Sequence, residues 1–257
     1  MLSRFIRAKT GEIQRLRKLK AAGGKLMEYA GERPDFVQAV SGPGPAIIAE
    51  YKRASPSRGM INDGLSPERA AREFLQGGAA AFSVLTEEDF FRGSLEFLNI
   101  FAGQGLPVLR KDFIFDPLQV EETAGTPASA LLLIVRVIQD PKLLQELVGQ
   151  CFGLGLEPVV EIFAPDELDL ARQAGARIIL VNNRDLDTLS VDLELSRRLA
   201  GKKDSGEVWI CASGIDNSGQ VKEFLRLGYD AFLVGTGVMS AGSPGAKIRE
   251  LCLCPEK

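Results

Sequence analysis

From residue 46 onward the chain alternates short, continuously apolar runs with longer stretches whose apolar residues recur at helical spacing. Eight of the short runs read as strands: 46–51, 80–85, 107–111, 130–135, 158–161, 177–181, 208–211 and 230–234. A strand with no polar alternation is buried on both faces, as in a parallel sheet covered by helices. Between the runs, Ser66-Pro67-Glu68, Asp140-Pro141 and Pro165-Asp166-Glu167 open helices, with proline where its missing N–H costs nothing. Gly78, Gly125, Gly175, Gly201 and Gly228 fall just past helix ends, where left-handed residues are expected.

Eight such units predict one α/β domain, a (β/α)8 TIM barrel. The competitor, an open doubly wound sheet, would carry a Gly-rich fingerprint after its first strand, and none is present. Residues 1–45 precede the first strand. There Phe5, Ile6, Ile13, Leu16 and Leu19 predict one helical face, and residues 34–40 a second short helix. The expected organisation is a single barrel domain over 1–257, with 1–45 as its N-terminal helical extension.

Composition narrows the function. The net charge of −3, with no basic stripe interleaved with aromatics, argues against nucleic acid as a partner. The run Arg15-Leu16-Arg17-Lys18-Leu19-Lys20 reads instead as the solvated face of a helix. No apolar run reaches the roughly 18 residues of a membrane span. The start, M-L-S-R-F-I-R-A-K, lacks the apolar core of a signal peptide. Cys151, Cys211, Cys252 and Cys254 form no C-x-x-C pair, so a metal site is not expected; they read as reduced thiols of a cytoplasmic protein.

The chain also has no histidine. No Ser-His-Asp or Cys-His arrangement can exist, and acid–base chemistry must fall to Lys, Glu, Asp, Tyr or Cys.

In a barrel of this kind the chemistry lies at the C-terminal ends of the strands. The first strand ends with Glu50 and Lys52, the third with Lys111, the fifth with Glu161, and the sixth runs into Asn182-Asn183-Arg184. A lone Lys or Glu at a strand end is ordinarily a solvated rim residue. Two of each converging on one pocket are different, because leaving them unpaired would cost several kcal/mol. A charged site with pKa values pushed apart is how a histidine-free enzyme obtains an acid and a base. The seventh and eighth strands end in Ala212-Ser213-Gly214 and Gly235-Thr236-Gly237, where such barrels commonly hold a phosphate, and Arg184 could add a charged fork. The residues thus point to an acid–base enzyme acting on a small phosphorylated substrate with no metal and no nucleotide cofactor.

At these same residues the sequence resembles the indole-3-glycerol phosphate synthase family. The matching stretches are A-E-Y-K-R-A-S-P-S-R-G (49–59), S-V-L-T-E-E-D-F-F-R-G-S (83–94), P-V-L-R-K-D-F-I (107–114), L-L-L-I (131–134), V-N-N-R-D-L-D-T-L (181–189), A-S-G-I (212–215) and F-L-V-G (232–235). The resemblance implies ring closure of 1-(2-carboxyphenylamino)-1-deoxyribulose 5-phosphate, with loss of CO2 and water, in tryptophan biosynthesis. It implies Lys111 as the general acid at the ribulose carbonyl and Glu161 as its partner in dehydration. It implies Lys52 on the substrate carboxylate or the departing hydroxyl, with Glu50 assisting, and Asn182 orienting the substrate. Ser55, Arg184, Ser213, Gly214, Gly235 and Thr236 would surround the phosphate, and Phe91, Phe113 and Leu132 would line the aryl pocket unless they are plain barrel core. The division of acid and base roles among the four charged residues stays open.

One position departs from the family. Its usual E-S-G-I is A-S-G-I here, with Ala212 in place of the acid. Loss of that carboxylate should lower the lysine pKa values and slow the enzyme without abolishing it. Two alternatives stay open: another sugar-phosphate barrel enzyme of the isomerase type, and a catalytically silent barrel that binds a phosphorylated ligand. The protein is expected to be a monomer, and association with other tryptophan-pathway enzymes stays open.

Overall fold

A computed structural model of the protein describes residues 2–253; Met1 and Cys254 lie outside the described residues. Eight parallel strands close a barrel in sequence order: β1 (Ala46–Tyr51), β2 (Ala81–Leu85), β3 (Val108–Ile114), β4 (Ala130–Ile134), β5 (Glu157–Ile162), β6 (Ile178–Asn182), β7 (Val208–Ala212) and β8 (Ala231–Val234). The last strand returns to the first through Ala46↔Ala231 to Ala49↔Val234. The (β/α)8 TIM barrel expected from the apolar runs is therefore the fold.

The runs are continuous because alternate residues enter two different cores. Ile48, Leu109, Leu132, Val159, Leu180, Ile210 and Leu233 fill the barrel interior. Ile47, Ala49, Tyr51, Phe82, Val84 and Trp209 face the helical shell. Helix caps follow the expected chemistry. Ser66 accepts from Arg69 N at the start of α4 (Pro67–Gly77), and Asp140 accepts from Lys142 N at the start of α7 (Pro141–Gly153). Gly78, Gly175 and Gly228 take the positive φ that a non-glycine residue resists.

Several expectations need correction. Gly125 (φ −79°) and Gly201, in a 3-10 turn, are not left-handed. A side chain at Gly125 would instead collide with the Met27 carbonyl, where the N-terminal segment crosses the helix end. Pro165-Asp166 does not open a capped helix; α8 (Glu167–Gln173) starts after Asp166 without a side-chain cap, and Glu167 accepts from Phe163 N (2.6 Å). The extension is not one face of one helix. It breaks at Lys9 into α1 (Leu2–Ala8) and α2 (Thr10–Ala21), followed by α3 (Phe36–Val40). Phe5, Ile13 and Leu16 are buried, Ile6 is half-buried, and Leu19 is 37% exposed. Nor is the basic run of α2 purely solvated. Arg15, Arg17 and Lys20 pair with Glu122, Asp116 and Glu121, which bolts α2 along α6 (Pro117–Ala124).

The strand ends also differ. β3 runs three residues past Lys111, and its register on β4 shifts between Arg110 and Ile114. Asn182 and Ala212 belong to their strands and pair with each other. The S-P-S-R-G segment is not an open loop. It makes a small antiparallel hairpin of Ala54–Ser55 with Gly59–Met60.

Candidate active site

At the C-terminal ends of the strands lies a cavity of about 370 Å³. All of the residues singled out above line it: Glu50, Lys52, Ser55, Phe91, Lys111, Phe113, Leu132, Glu161, Asn182, Arg184, Ser213, Gly214, Gly235 and Thr236.

The charges sort into two ammonium–carboxylate pairs. Lys52 Nζ donates to Glu50 Oε1 at 2.7 Å, joining positions two apart at the end of β1. Across the barrel, Lys111 Nζ lies 3.2 Å from Glu161 Oε2. Both carboxylates are buried, while both ammonium groups keep 15% of their side-chain surface open to the cavity. Burial works against ionisation of Glu50, but Lys52 and then Lys111 outweigh it and hold the carboxyl below its ordinary value. Burial likewise opposes the Lys111 ammonium, but Glu161 and Glu50 overcome it and raise the pKa above the usual lysine value. The lysine is therefore charged at neutral pH, a fixed cation next to where a reacting carbonyl could sit.

Glycine at position 235 has a direct reason. A Cβ there would overlap Glu50 Oε1 and come within 3.0 Å of Lys52 Nζ, so the bare β8 end leaves room for the first ion pair as it stands. The β7 end is shaped differently. Ser213 (φ 65°) and Gly214 (φ 87°) are successive left-handed residues that turn the chain sharply at the end of β7. Asn183 pins that turn, donating to Ala212 O (3.0 Å) and Ser213 O (3.1 Å) while its own Oδ1 accepts from Ser196 N and Oγ. Asn182 Oδ1 accepts from Arg184 N (3.0 Å). The Arg184 guanidinium is steadied by Leu189 O (2.7 Å). Burial and then the charge of Arg58 depress the pKa of Arg184; two cations facing one cavity call for an anion between them.

An apolar wall completes the cavity. Phe113 stacks on Phe5 with centroids 4.4 Å apart, Phe91 tilts against both rings, and Leu132 and Ile134 lie beside them. Phe113 and Leu132 belong equally to the barrel core, so the core and pocket readings of these residues both apply. Phe5, Arg58 and Leu186 escaped the sequence reading. Arg58 sits inside the quoted S-P-S-R-G motif. Phe5 could have been suspected only as an aromatic residue ahead of the first strand. Ala212 is buried against the cavity, leaving an apolar patch between Asn182 and Leu233, its partners on the neighbouring strands.

A parallel barrel whose strand ends carry an acid–base pocket facing a cationic pocket defines an enzyme barrel for small anionic substrates. Solved structures agree on the fold. The chain superposes on the 3-hexulose-6-phosphate synthase of Salmonella typhimurium with TM-score 0.63 at 17% identity, over 80% of this chain and 96% of that one. The N-acetylmannosamine-6-phosphate 2-epimerase of Clostridium perfringens gives 0.60 at 19%, over 82% and 93%. Likeness at this identity shows the barrel alone.

The sequence comparisons are more specific. The family model described as indole-3-glycerol phosphate synthase matches residues 2–251. The indole-3-glycerol phosphate synthase of Aquifex aeolicus is 43% identical over 92% of this chain and 91% of its own length. That of Desulfosudis oleivorans is 37% identical over 98% of each. The chain belongs to the indole-3-glycerol phosphate synthase family.

Proposed function

We propose that the protein closes the indole ring: it converts 1-(2-carboxyphenylamino)-1-deoxyribulose 5-phosphate to indole-3-glycerol phosphate, CO2 and water, as a carboxy-lyase of tryptophan biosynthesis. Family membership supports the reaction. The observation that carries the mechanism is the pair of lysine–glutamate contacts set between an aromatic wall and a cationic one.

The aryl ring lies against Phe5, Phe91, Phe113 and Leu132. The phosphate lies against Ser213, Gly214, Gly235 and Thr236, with Ser55 and Arg184 beside it. Holding both ends of a flexible chain brings the ring carbon that bears the carboxylate within reach of the ribulose carbonyl. As that carbon attacks, negative charge develops on the carbonyl oxygen, and Lys111 stabilises it and supplies the proton. Loss of CO2 restores the aromatic ring and needs no cofactor as an electron sink. Elimination of the hydroxyl then forms the indole double bond, with Glu161 taking a proton and Lys52, held by Glu50, protonating the leaving oxygen. Asn182 orients the chain between the two pairs. We place the enzyme in the cytoplasm as a monomer; among the described residues no helix is long and apolar enough to cross a membrane.

The test mixes purified protein with the carboxyphenylamino-deoxyribulose phosphate and follows indole fluorescence. Turnover is expected. Tight binding without turnover would select the silent phosphate-binding barrel instead.

A further inference from the structure

Lys9, at the break between α1 and α2, is 5% exposed and takes no part in the cavity. Its Nζ lies 3.0 Å from both carboxylate oxygens of Asp112 and also pairs with Glu12. Asp112 accepts in addition from Thr86 Oγ1 (2.5 Å), Arg110 Nη2 (3.3 Å) and Phe113 N (2.8 Å). Four residues before Lys9, one turn back along the extension, Phe5 stacks on Phe113. The extension therefore grips the two residues that follow Lys111.

That grip falls where the register between β3 and β4 shifts. The β3–β4 ladder is irregular between Arg110 and Ile114, and the register with β2 ends at Leu85↔Lys111. Lys111 is thus tied by its backbone to β2, through Leu85↔Lys111 and Thr86 N on Lys111 O, while the residues after it lose regular pairing with β4 and depend more on side-chain contacts. A buried ammonium is costly to desolvate, and an apolar residue would pack α1 as well. A lysine suits the place if its charge and geometry matter to what stands next to Asp112.

We infer that Lys9 is a positioning residue for ring closure: through Asp112 it fixes the irregular part of β3 and aims the Lys111 ammonium into the cavity. The inference rests on the proposed function only for the role of Lys111. The charges facing Lys111 are Glu161 from β5, Glu50 from β1 and Asp112 on its own strand. Those facing Asp112 are Lys9 and Arg110, with Glu12 of α2 and Glu87 after β2 near them. Lys9 offsets the charge of Asp112, which would otherwise act on Lys111 more strongly.

The experiment uses the full chain carrying Lys9→Met, assayed at a temperature where circular dichroism shows it fully folded. A kcat lowered at least about tenfold, with KM within about threefold, is expected, and Lys9→Arg should recover most of the loss. A second readout needs no turnover: the rate at which a small amine-reactive ester acylates Lys111 at about pH 9, read by peptide mass spectrometry. Lys9→Met should slow it several-fold, because Asp112 is then less compensated, and Asp112→Asn should speed it several-fold. Simple loosening of the strand would speed both. Should Lys9→Met fail to fold, Lys9→Gln, which keeps a hydrogen-bond donor without the charge, goes through both assays with the same expectation. A normal kcat in the folded variant, or acylation rates that move together, overturns the inference. A wild-type protein without turnover would break the functional reading alone, and the acylation arm would still decide this one.

Discussion

Strand β3 carries two ionic environments on its two faces, one residue apart. Outward, Arg110 and Asp112 sit in a saturated cluster. Asp112 has four donors, while Arg110 reaches Glu12, Glu122, Thr86 and Thr123 as well as Asp112. Inward, Lys111 has a single ion-pair contact among the described residues, with Glu161, and part of its surface faces the cavity. Both faces are costly to desolvate, but only the inner one leaves charge unspent. Saturation buries charge for structure; incomplete coordination keeps it available for a substrate.

Breaking each side should therefore give different signatures. The largest effect is expected from Lys111→Met: kcat falls by about 10³-fold or more, while binding of the phosphorylated substrate weakens far less. Pre-steady-state fluorescence separates the two, and an unchanged kcat would remove Lys111 from the chemistry. Next comes Arg110→Met, which strands buried carboxylates and should cost about 3–5 kcal/mol of stability in urea unfolding. A loss within experimental error would mean that the outer cluster is not the structural half of the contrast.

A smaller effect is expected from Ala212→Glu. The new carboxylate would enter the cavity lined by both lysines, and a several-fold gain in kcat/KM is expected. The gain is modest because Glu161 and Glu50 already hold the Lys111 pKa up without it. Identical turnover and affinity would show that the missing acid has no role here.

The smallest effect concerns pH. Lys111 has its pKa raised on folding, so its pairing stabilises the fold fully below the unfolded value of 10.5 and is lost as pH rises through the higher folded value. The lysine accordingly stays charged from about pH 6 to 9, and kcat should show no ionisation step of Lys111 in that range. A step that disappears in the Lys111→Arg variant would contradict the raised pKa.

Much of this was legible in the chain. The apolar runs, their spacing and the proline and glycine punctuation specify eight β/α units, because a strand buried on both faces admits no polar alternation. The placement of the charged residues follows from the same logic: a polar residue on the inward face at the C-terminal end of such a run lies in the mouth of the barrel. That is why all the residues chosen from the sequence, from Glu50 to Thr236, meet in one cavity.

Other features were not legible, because they depend on contacts between residues far apart in the chain. Nothing local distinguishes Lys9 from its solvated neighbours; burial against a carboxylate 103 residues away does. Phe5 belongs to the pocket only because the extension folds back over the strand ends. The expected solvated face of α2 is in part an ionic seam with α6. Gly125 is tied to the passing Met27 carbonyl rather than to a turn.

By itself, then, the sequence determined the barrel, the strand ends and the types of residue that act there, since periodicity and local backbone chemistry act over a few residues. Only the tertiary structure decided which lysine meets which glutamate, and that the extension closes the apolar wall with Phe5 and grips Asp112 with Lys9. Those outcomes are distances between distant segments, and no local pattern encodes them.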